Sequence, residues 1–299
     1  MKKILAFSLA KSFLVIVALT VYLSSCTKST DTAPTSNTTN ATIKLDTMNV
    51  AYGVDPAQKM DIYLPPNRSD ANTKVFVMIH GGAWTAGDKS DFNATIPAIQ
   101  SGLSNYAIIN INYKLAAVPS TNLWPTQIND VNTAFDYIIA NANYFHYNPN
   151  KIVVMGASAG AHLGLLKAYK YNADKKVKAV VDYFGPTDMA DLYNFQVGIQ
   201  KQLFELFMGG TPTSTPTTYT NASPLFSVAT GVPPTIIFHG TADAVVPLSQ
   251  STRLKTALQT AGVVYQYNEY VGEGHGVFNS INTADAYTKF VTFCIANNP

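Results

Sequence analysis

Val153-Val154-Met155-Gly156-Ala157-Ser158-Ala159-Gly160-Ala161-His162-Leu163 is the stretch on which the reading of this chain turns. Residues 151–155 form a short β-branched run with the composition of a buried strand. The run stops at Gly156, and residues 159–171 then take helical spacing, with Leu163, Leu166 and Lys167 on neighbouring turns. Between strand and helix lies Gly156-x-Ser158-x-Gly160. Glycines on both sides of a serine allow a turn too tight for side chains, which lifts the hydroxyl clear of the sheet above a helix N-terminus. A serine nucleophile needs that placement, because a hydroxyl must be exposed, oriented and deprotonated by a neighbour before it attacks. A glycine-containing structural turn is the bland alternative, and the strand before and helix after favour the nucleophile.

Outward from this turn, the 299 residues are 47% apolar and 13% charged, enough for one large domain or two small ones. No break in composition divides the middle of the chain, so one domain is expected. A formal net charge of +2, with no basic cluster after Lys2-Lys3, excludes nucleic acid as a partner. The cysteines are Cys26 and Cys294; no CxxC or spaced Cys/His set suggests a metal.

Lys2-Lys3 followed by residues 4–22, mostly apolar but interrupted by Lys11 and by serines and threonines, reads as a secretory signal rather than a membrane span. Leu23-Ser24-Ser25-Cys26 resembles the lipobox of bacterial lipoproteins. The resemblance implies a signal peptide over residues 1–25, cleavage before Cys26, lipidation of its thiol and a membrane anchor made of acyl chains. Thr27 after the cysteine fits export to an outer membrane, periplasmic or surface-facing. Residues 26–42, nearly all Thr, Ser, Asn, Asp and Ala, have no apolar stripe and are expected to form a flexible tether, or a glycosylated stalk. Cys294 is then a buried, inert thiol in the last helix.

From residue 43 to 299 one domain is expected. Residues 43–54 and 58–63 alternate around Gly53-Val54-Asp55-Pro56 as an antiparallel hairpin. Residues 74–79, 106–112, 177–183 and 235–238 are apolar runs of buried strands, and 265–271 is the last strand. Helices are expected at 93–101, 125–141, 248–261 and 284–296. An antiparallel pair followed by alternating strands and helices implies an α/β fold with a mostly parallel sheet and helices on both faces. Ligands of such sheets sit at the carboxyl ends of the strands, where His80, Ser158, Asp188, Asp243 and His275 all fall. Residues 189–232 break the pattern. There 195–208 reads as one amphipathic helix and 209–221 as a Thr/Pro-rich connection, together a lid, a specificity wall or a structural excursion.

Of the five histidines, His275 lies in the glycine-rich loop Gly272-Glu273-Gly274-His275-Gly276, from which an imidazole can reach the serine. His80, His146, His162 and His239 read as loop or packing residues, His162 at most as support for the serine. The base needs an orienting carboxylate. Asp243 follows the strand before the His275 loop, and Asp188 is its rival. Oxyanion donors are expected from the Ala159 N–H and from the His80-Gly81-Gly82-Ala83 turn, with Gly82 and Ala83 the choices there. Gly81, Trp84 and Ala157 are candidate substrate contacts.

With these pieces in place, HGGAW, GASAG with His162-Leu163, HGTAD with its Val245-Val246-Pro247, and GEGH resemble the α/β-hydrolase superfamily across residues 43–299. They resemble most its hormone-sensitive-lipase-like branch and the bacterial dietary feruloyl esterase and acetylxylan esterase group. Ser…Asp…His is that superfamily's order and favours Asp243 over Asp188. The resemblance implies carboxylic-ester hydrolysis without cofactor or metal, on a small ester or an acylated oligosaccharide or polysaccharide. A small-amide hydrolase of the kynurenine formamidase type, a serine peptidase and a non-catalytic surface glycan-binding lipoprotein are the alternatives.

Overall fold

β-Branched and aromatic residues set the sheet. The computed structural model describes residues 38–276 and 278–299, so Cys26 and the tether up to residue 37 lie outside the described residues. In chain order the elements are β1 (Leu45–Ala51), β2 (Lys59–Leu64), β3 (Lys74–Ile79), α1 (Ile96–Gly102), β4 (Tyr106–Ile111), α2 (Thr126–Ala140) and α3 (Ala142–Phe145). They continue with β5 (Ile152–Ala157), α4 (Ala159–Tyr169), β6 (Val177–Tyr183), α5 (Met189–Phe195), α6 (Gly198–Met208), α7 (Pro216–Ala222), β7 (Thr235–Gly240), α8 (Ser249–Thr260), β8 (Tyr265–Tyr270) and α9 (Ser280–Asn297). The strands form a single sheet in the order β1-β2-β4-β3-β5-β6-β7-β8. β1 and β2 pair antiparallel, as do β2 and β4; from β4 to β8 every pairing is parallel.

Parallel strands carry helices on both faces, and the apolar residues divide accordingly. Val75, Val77 and Ile79 of β3 and Ile152 and Val154 of β5 face one layer, shared with α2, α4 and α8. Phe76, Met78, Val153 and Met155 face the other, shared with α1 and α9. This two-sided burial explains why the central strands read as continuous apolar runs rather than alternating ones. At the free edge, β8 (YQYNEY) is half exposed and alternates. Cys294 is buried on α9, and burial pushes its thiol up, away from the reactive thiolate.

Two expectations for residues 189–232 are corrected. The helix expected over 195–208 begins only at Gly198: Phe195 closes a separate helix, α5, because Gln196 and Val197 are extended and Gly198 turns the chain at a φ of 55°. The break re-aims α6 so that Phe204 and Phe207 face Trp84, with ring centroids 5.8 and 5.2 Å apart. Within the expected Thr/Pro-rich connection, α7 begins with Pro216 at its first position, where a missing N–H costs nothing.

The compact unit begins at Thr38, ahead of the boundary expected at residue 43. Arg68 is the reason. Its buried guanidinium donates to the carbonyls of Phe145, Ile43 and Asn40 at 2.9, 2.6 and 2.7 Å and to Thr39 Oγ1 at 2.8 Å. Residues 39–43 are thereby fastened beside the amino ends of β3 and β5. Hydrogen bonds from a charged donor contribute roughly 1.5–3 kcal/mol each, and an acceptor left buried costs a similar amount. Arg68→Ala is therefore expected to lower unfolding stability by at least ~2 kcal/mol in urea melts; an unchanged midpoint would show the clamp to be energetically idle.

Candidate active site

The geometry starts from β5 running into α4. Ser158 joins them with φ 53° and ψ −120°, a conformation that costs a non-glycine residue roughly 1–3 kcal/mol and needs support on all sides. Gly156 and Gly160 supply the room. A Cβ on Gly156 would stand 2.3 Å from the Gly160 carbonyl carbon, and one on Gly160 would stand 2.0 Å from the Ile79 carbonyl oxygen. The first turn of α4 thus lies directly against β5 and β3, with Ser158 half-buried at its head.

The loops after β7 and β8 bring two further residues to the serine. His275 Nε2 stands 3.0 Å from Ser158 Oγ, and His275 Nδ1 stands 2.7 Å from Asp243 Oδ2. Asp243 Oδ1 accepts from the N–H groups of Val245 and Val246 at 2.8 and 2.9 Å. Burial alone would push this carboxyl up. Hydrogen bonds from His239, His275, Val246 and Val245 override burial and hold it far below the ordinary carboxylate range. An imidazole between a hydroxyl and a fixed anion can take the hydroxyl proton and keep it. Asp188, the rival acid, is occupied elsewhere: it caps α5 through the Ala190 and Asp191 N–H groups and pairs with Arg253 at 2.7 Å.

The loop after β3 lies across the serine. Gly82, Ala83 and Trp84 all have positive φ, at 106°, 50° and 61°, and a Cβ on Gly82 would meet the Ala86 carbonyl oxygen at 2.1 Å. The Gly81 carbonyl accepts from the Tyr113 hydroxyl at 3.2 Å and lies 2.7 Å from His80 Nδ1. Among the described residues the N–H groups of Gly82 and Ala83 have no protein acceptor. The Ala159 N–H opens the first turn of α4, where amides lack intrahelical partners and the helix dipole is positive. Ala157 is half-buried at the end of β5. A cavity of about 420 Å³ opens beside Ser158, walled by Ala83, Trp84, Val118, Leu192, Leu203, Phe204, Phe207, Val245 and Val246, with Gln196 and Gln200 at its rim.

The family model described as BD-FAE matches residues 60–258. The chain belongs to the BD-FAE family. The match contains Ser158 and Asp243 and ends before His275. Esterase LipC of Mycobacterium tuberculosis is 30% identical over 243 residues, 76% of this chain and 59% of LipC. Isoprenylcysteine alpha-carbonyl methylesterase ICME of Arabidopsis thaliana is 26% identical, over 76% of this chain and 56% of its own. The chain thus spans less than two thirds of these curated relatives. Among solved structures, a truncated carbohydrate esterase from gut microbiota superposes with a TM-score of 0.74 at 26% identity, covering 88% of this chain and 99% of that one. A bifunctional GH43-CE protein of Bacteroides eggerthii gives the same score and identity over 85% of this chain and 38% of its own.

In this BD-FAE chain His80, His162 and His239 are structural neighbours of the site, and His146 lies away from it. His162 is fully buried one turn along α4. Its Nδ1 accepts from Trp84 Nε1 at 3.2 Å, so its proton sits on Nε2, 2.7 Å from the Ala222 carbonyl oxygen. It ties the loop after β3 to α7. The sequence offered His162 only as a possible support, since neither partner is near it in the chain. His80 stacks on Tyr113 at 4.4 Å, and His146 lies on the surface between Asp70 and Thr39. The cavity wall from α5 and α6 was not individually predicted, although Phe204 and Phe207, one helical turn apart, carry its signal.

Burial lowers the His162 imidazole from 6.5 to about 4, partly offset by the bond to the Ala222 carbonyl. The unfolded chain binds a proton here near pH 6.5 and the folded chain only near 4. Acidification through that window therefore favours unfolding: the contribution is whole above 6.5 and lost by about 4. The full loss is on the order of 3 kcal/mol. Chemical melts of the protein and of His162→Gln between pH 4 and 7 are expected to differ in slope, the variant being flatter. Parallel pH curves would remove His162 as the cause.

Proposed function

We propose that the chain is a serine carboxylic ester hydrolase acting through an acyl-enzyme, with Ser158 as nucleophile, His275 as general base and acid, and Asp243 as its orienting anion. The observation that carries this reading is the hydrogen-bonded line Ser158–His275–Asp243, at 3.0 and 2.7 Å, opening onto a cavity. Ser158 Oγ attacks the ester carbonyl as His275 Nε2 takes its proton. The N–H groups of Ala159, Gly82 and Ala83 receive the oxyanion, where removal of a single donor typically costs two to three orders of magnitude in rate. His275 returns the proton to the leaving alcohol, and water repeats the cycle on the acyl-enzyme.

For the substrate we propose an acylated plant oligosaccharide or polysaccharide, from which acetyl or feruloyl groups are removed. Membership of the BD-FAE family and the likeness to two carbohydrate esterase structures support it. His275 takes no part in the cavity wall. The leaving oxygen must face His275, so the cavity receives the acyl group and the sugar stays outside. Its volume and its aromatic lining of Trp84, Phe204 and Phe207 suit a flat aromatic acyl group better than acetyl. Turnover of feruloylated against acetylated xylo-oligosaccharides tests this, with feruloyl expected to have the higher kcat/KM. Ser158→Ala is expected to lose about 10⁴-fold or more of kcat; release of acid by that variant at the parental rate would end the serine mechanism.

The anchor is a separate proposal: an exported lipoprotein, acylated at Cys26 and held at the outer membrane. Its support is the lipobox-like Leu23-Ser24-Ser25-Cys26 after an apolar run. In a bacterial host the protein is expected in the membrane fraction and Cys26→Ala is expected to leave it; equal partition of the two would dismiss the anchor.

A further inference from the structure

One side chain outside the proposed triad also reaches its carboxylate, with a second behind it. His239, on β7, is fully buried. Its Nε2 stands 3.0 Å from the Val246 carbonyl oxygen and 3.3 Å from Asp243 Oδ2. Its Nδ1 stands 2.7 Å from Ser251 Oγ, in the first turn of α8 and also fully buried. Both neighbours of Nε2 can only accept, so Nε2 carries the proton and Nδ1 accepts from the Ser251 hydroxyl. Asp243 therefore meets three donors of its own, Val245 and Val246 N–H on Oδ1 and His275 on Oδ2, and on Oδ2 a fourth, the single Nε2–H of His239, which it shares with the nearer Val246 carbonyl.

We infer that His239, held in one tautomer by Ser251, is a positioning residue for the reaction: it fixes the Asp243 carboxylate toward His275 and takes up part of its charge. The inference rests on the triad reading above. During attack, the proton of Ser158 moves to His275 Nε2, Nδ1 keeps its own proton, and Asp243 remains an anion. A carboxylate with an extra donor is a weaker base, so it competes less for the proton on Nδ1. No bond to His239 forms or breaks. A further ionisable group whose field reaches His239 is Asp182 on β6. It is fully buried, and burial pushes its carboxyl up to about 7 against the opposing Gly185 N–H bond and His239.

The test compares His239→Met, His239→Gln and Ser251→Ala with the parent and with Ser158→Ala. Kinetics on a p-nitrophenyl ester and the rate of labelling by a fluorophosphonate are followed from pH 5 to 9. His239→Met is expected to lower kcat about 10- to 100-fold, the equivalent of one charge-assisted hydrogen bond. KM should stay within about twofold, because His239 lines no part of the cavity. The acid limb of kcat/KM should move to higher pH, because a carboxylate short of one donor holds the His275 proton more tightly. His239→Gln, whose amide can donate in place of Nε2, should recover rate and limb together. Ser251→Ala should show a smaller displacement of the same sign, and it carries the test alone if the Met variant does not fold. A loss of rate with an unmoved limb, no recovery by Gln, or full activity in the Met variant would each overturn the inference. So would a displacement that vanishes when Asp182→Asn is added. Failure of the fluorophosphonate to label the parent, or its labelling of Ser158→Ala, would instead bring down the triad reading.

Discussion

The site depends on how closely one helix can approach two strands. α4 enters the structure with its first turn pressed on β5 and β3, and only residues without a Cβ at positions 156 and 160 permit that approach. The contact forces Ser158 into its positive-φ conformation and aims its hydroxyl out of the carboxyl edge of the sheet. It also sets the free amides at the head of α4 beneath the point where an attacked carbonyl would gather charge. Strain, the placement of the proposed nucleophile and the proposed electrostatic stabilisation therefore have one origin. None of them could be adjusted without moving the other two.

Around that contact, the remaining parts are held by buried polar groups rather than by the sheet itself. His162 joins the loop carrying Trp84 to α7, so the loop over the serine and the insertion are tied to one another. The stacking of Trp84 on Phe207 then fixes α6 over the serine. On the other side, the turn following β7 is wound around Asp243 by its own Val245 and Val246 amides. A fully buried aspartate would ordinarily be neutral, but here the surrounding donors reverse the effect of burial. The insertion thus supplies shape while the core-facing polar groups supply charge.

Much of this was legible in the chain. Strands such as Lys74–Ile79 and Val177–Tyr183 carry unbroken apolar runs because both faces are covered, and their limits in the sequence and the structure coincide. The residues at the strand ends stood out because glycines mark turns that cannot be built otherwise. What the chain did not disclose are relations between distant residues. Nothing near Phe195 shows that Gln196 and Val197 leave the helix, since each is tolerable in one and the break is decided by Gly198 and by packing. His239 reads as an ordinary packing residue, because Ser251 is twelve positions away on another element. The role of Arg68 was invisible for the same reason: its acceptors lie on two segments, one some 25 residues before it and one 77 after.

That arginine also fixes a direction. β2 runs antiparallel to its neighbour β4, so the end of β2, the Arg68 loop and the start of β1 all gather at the amino edge of the parallel strands. Thr39 and Asn40 are fastened there, by Arg68 and by the Tyr144 backbone, while Ser158 opens at the carboxyl edge. The polypeptide therefore enters the domain at one edge of the sheet, and the proposed nucleophile stands at the other. A change made to the chain ahead of Thr38 is therefore joined to the domain at the edge of the sheet opposite Ser158.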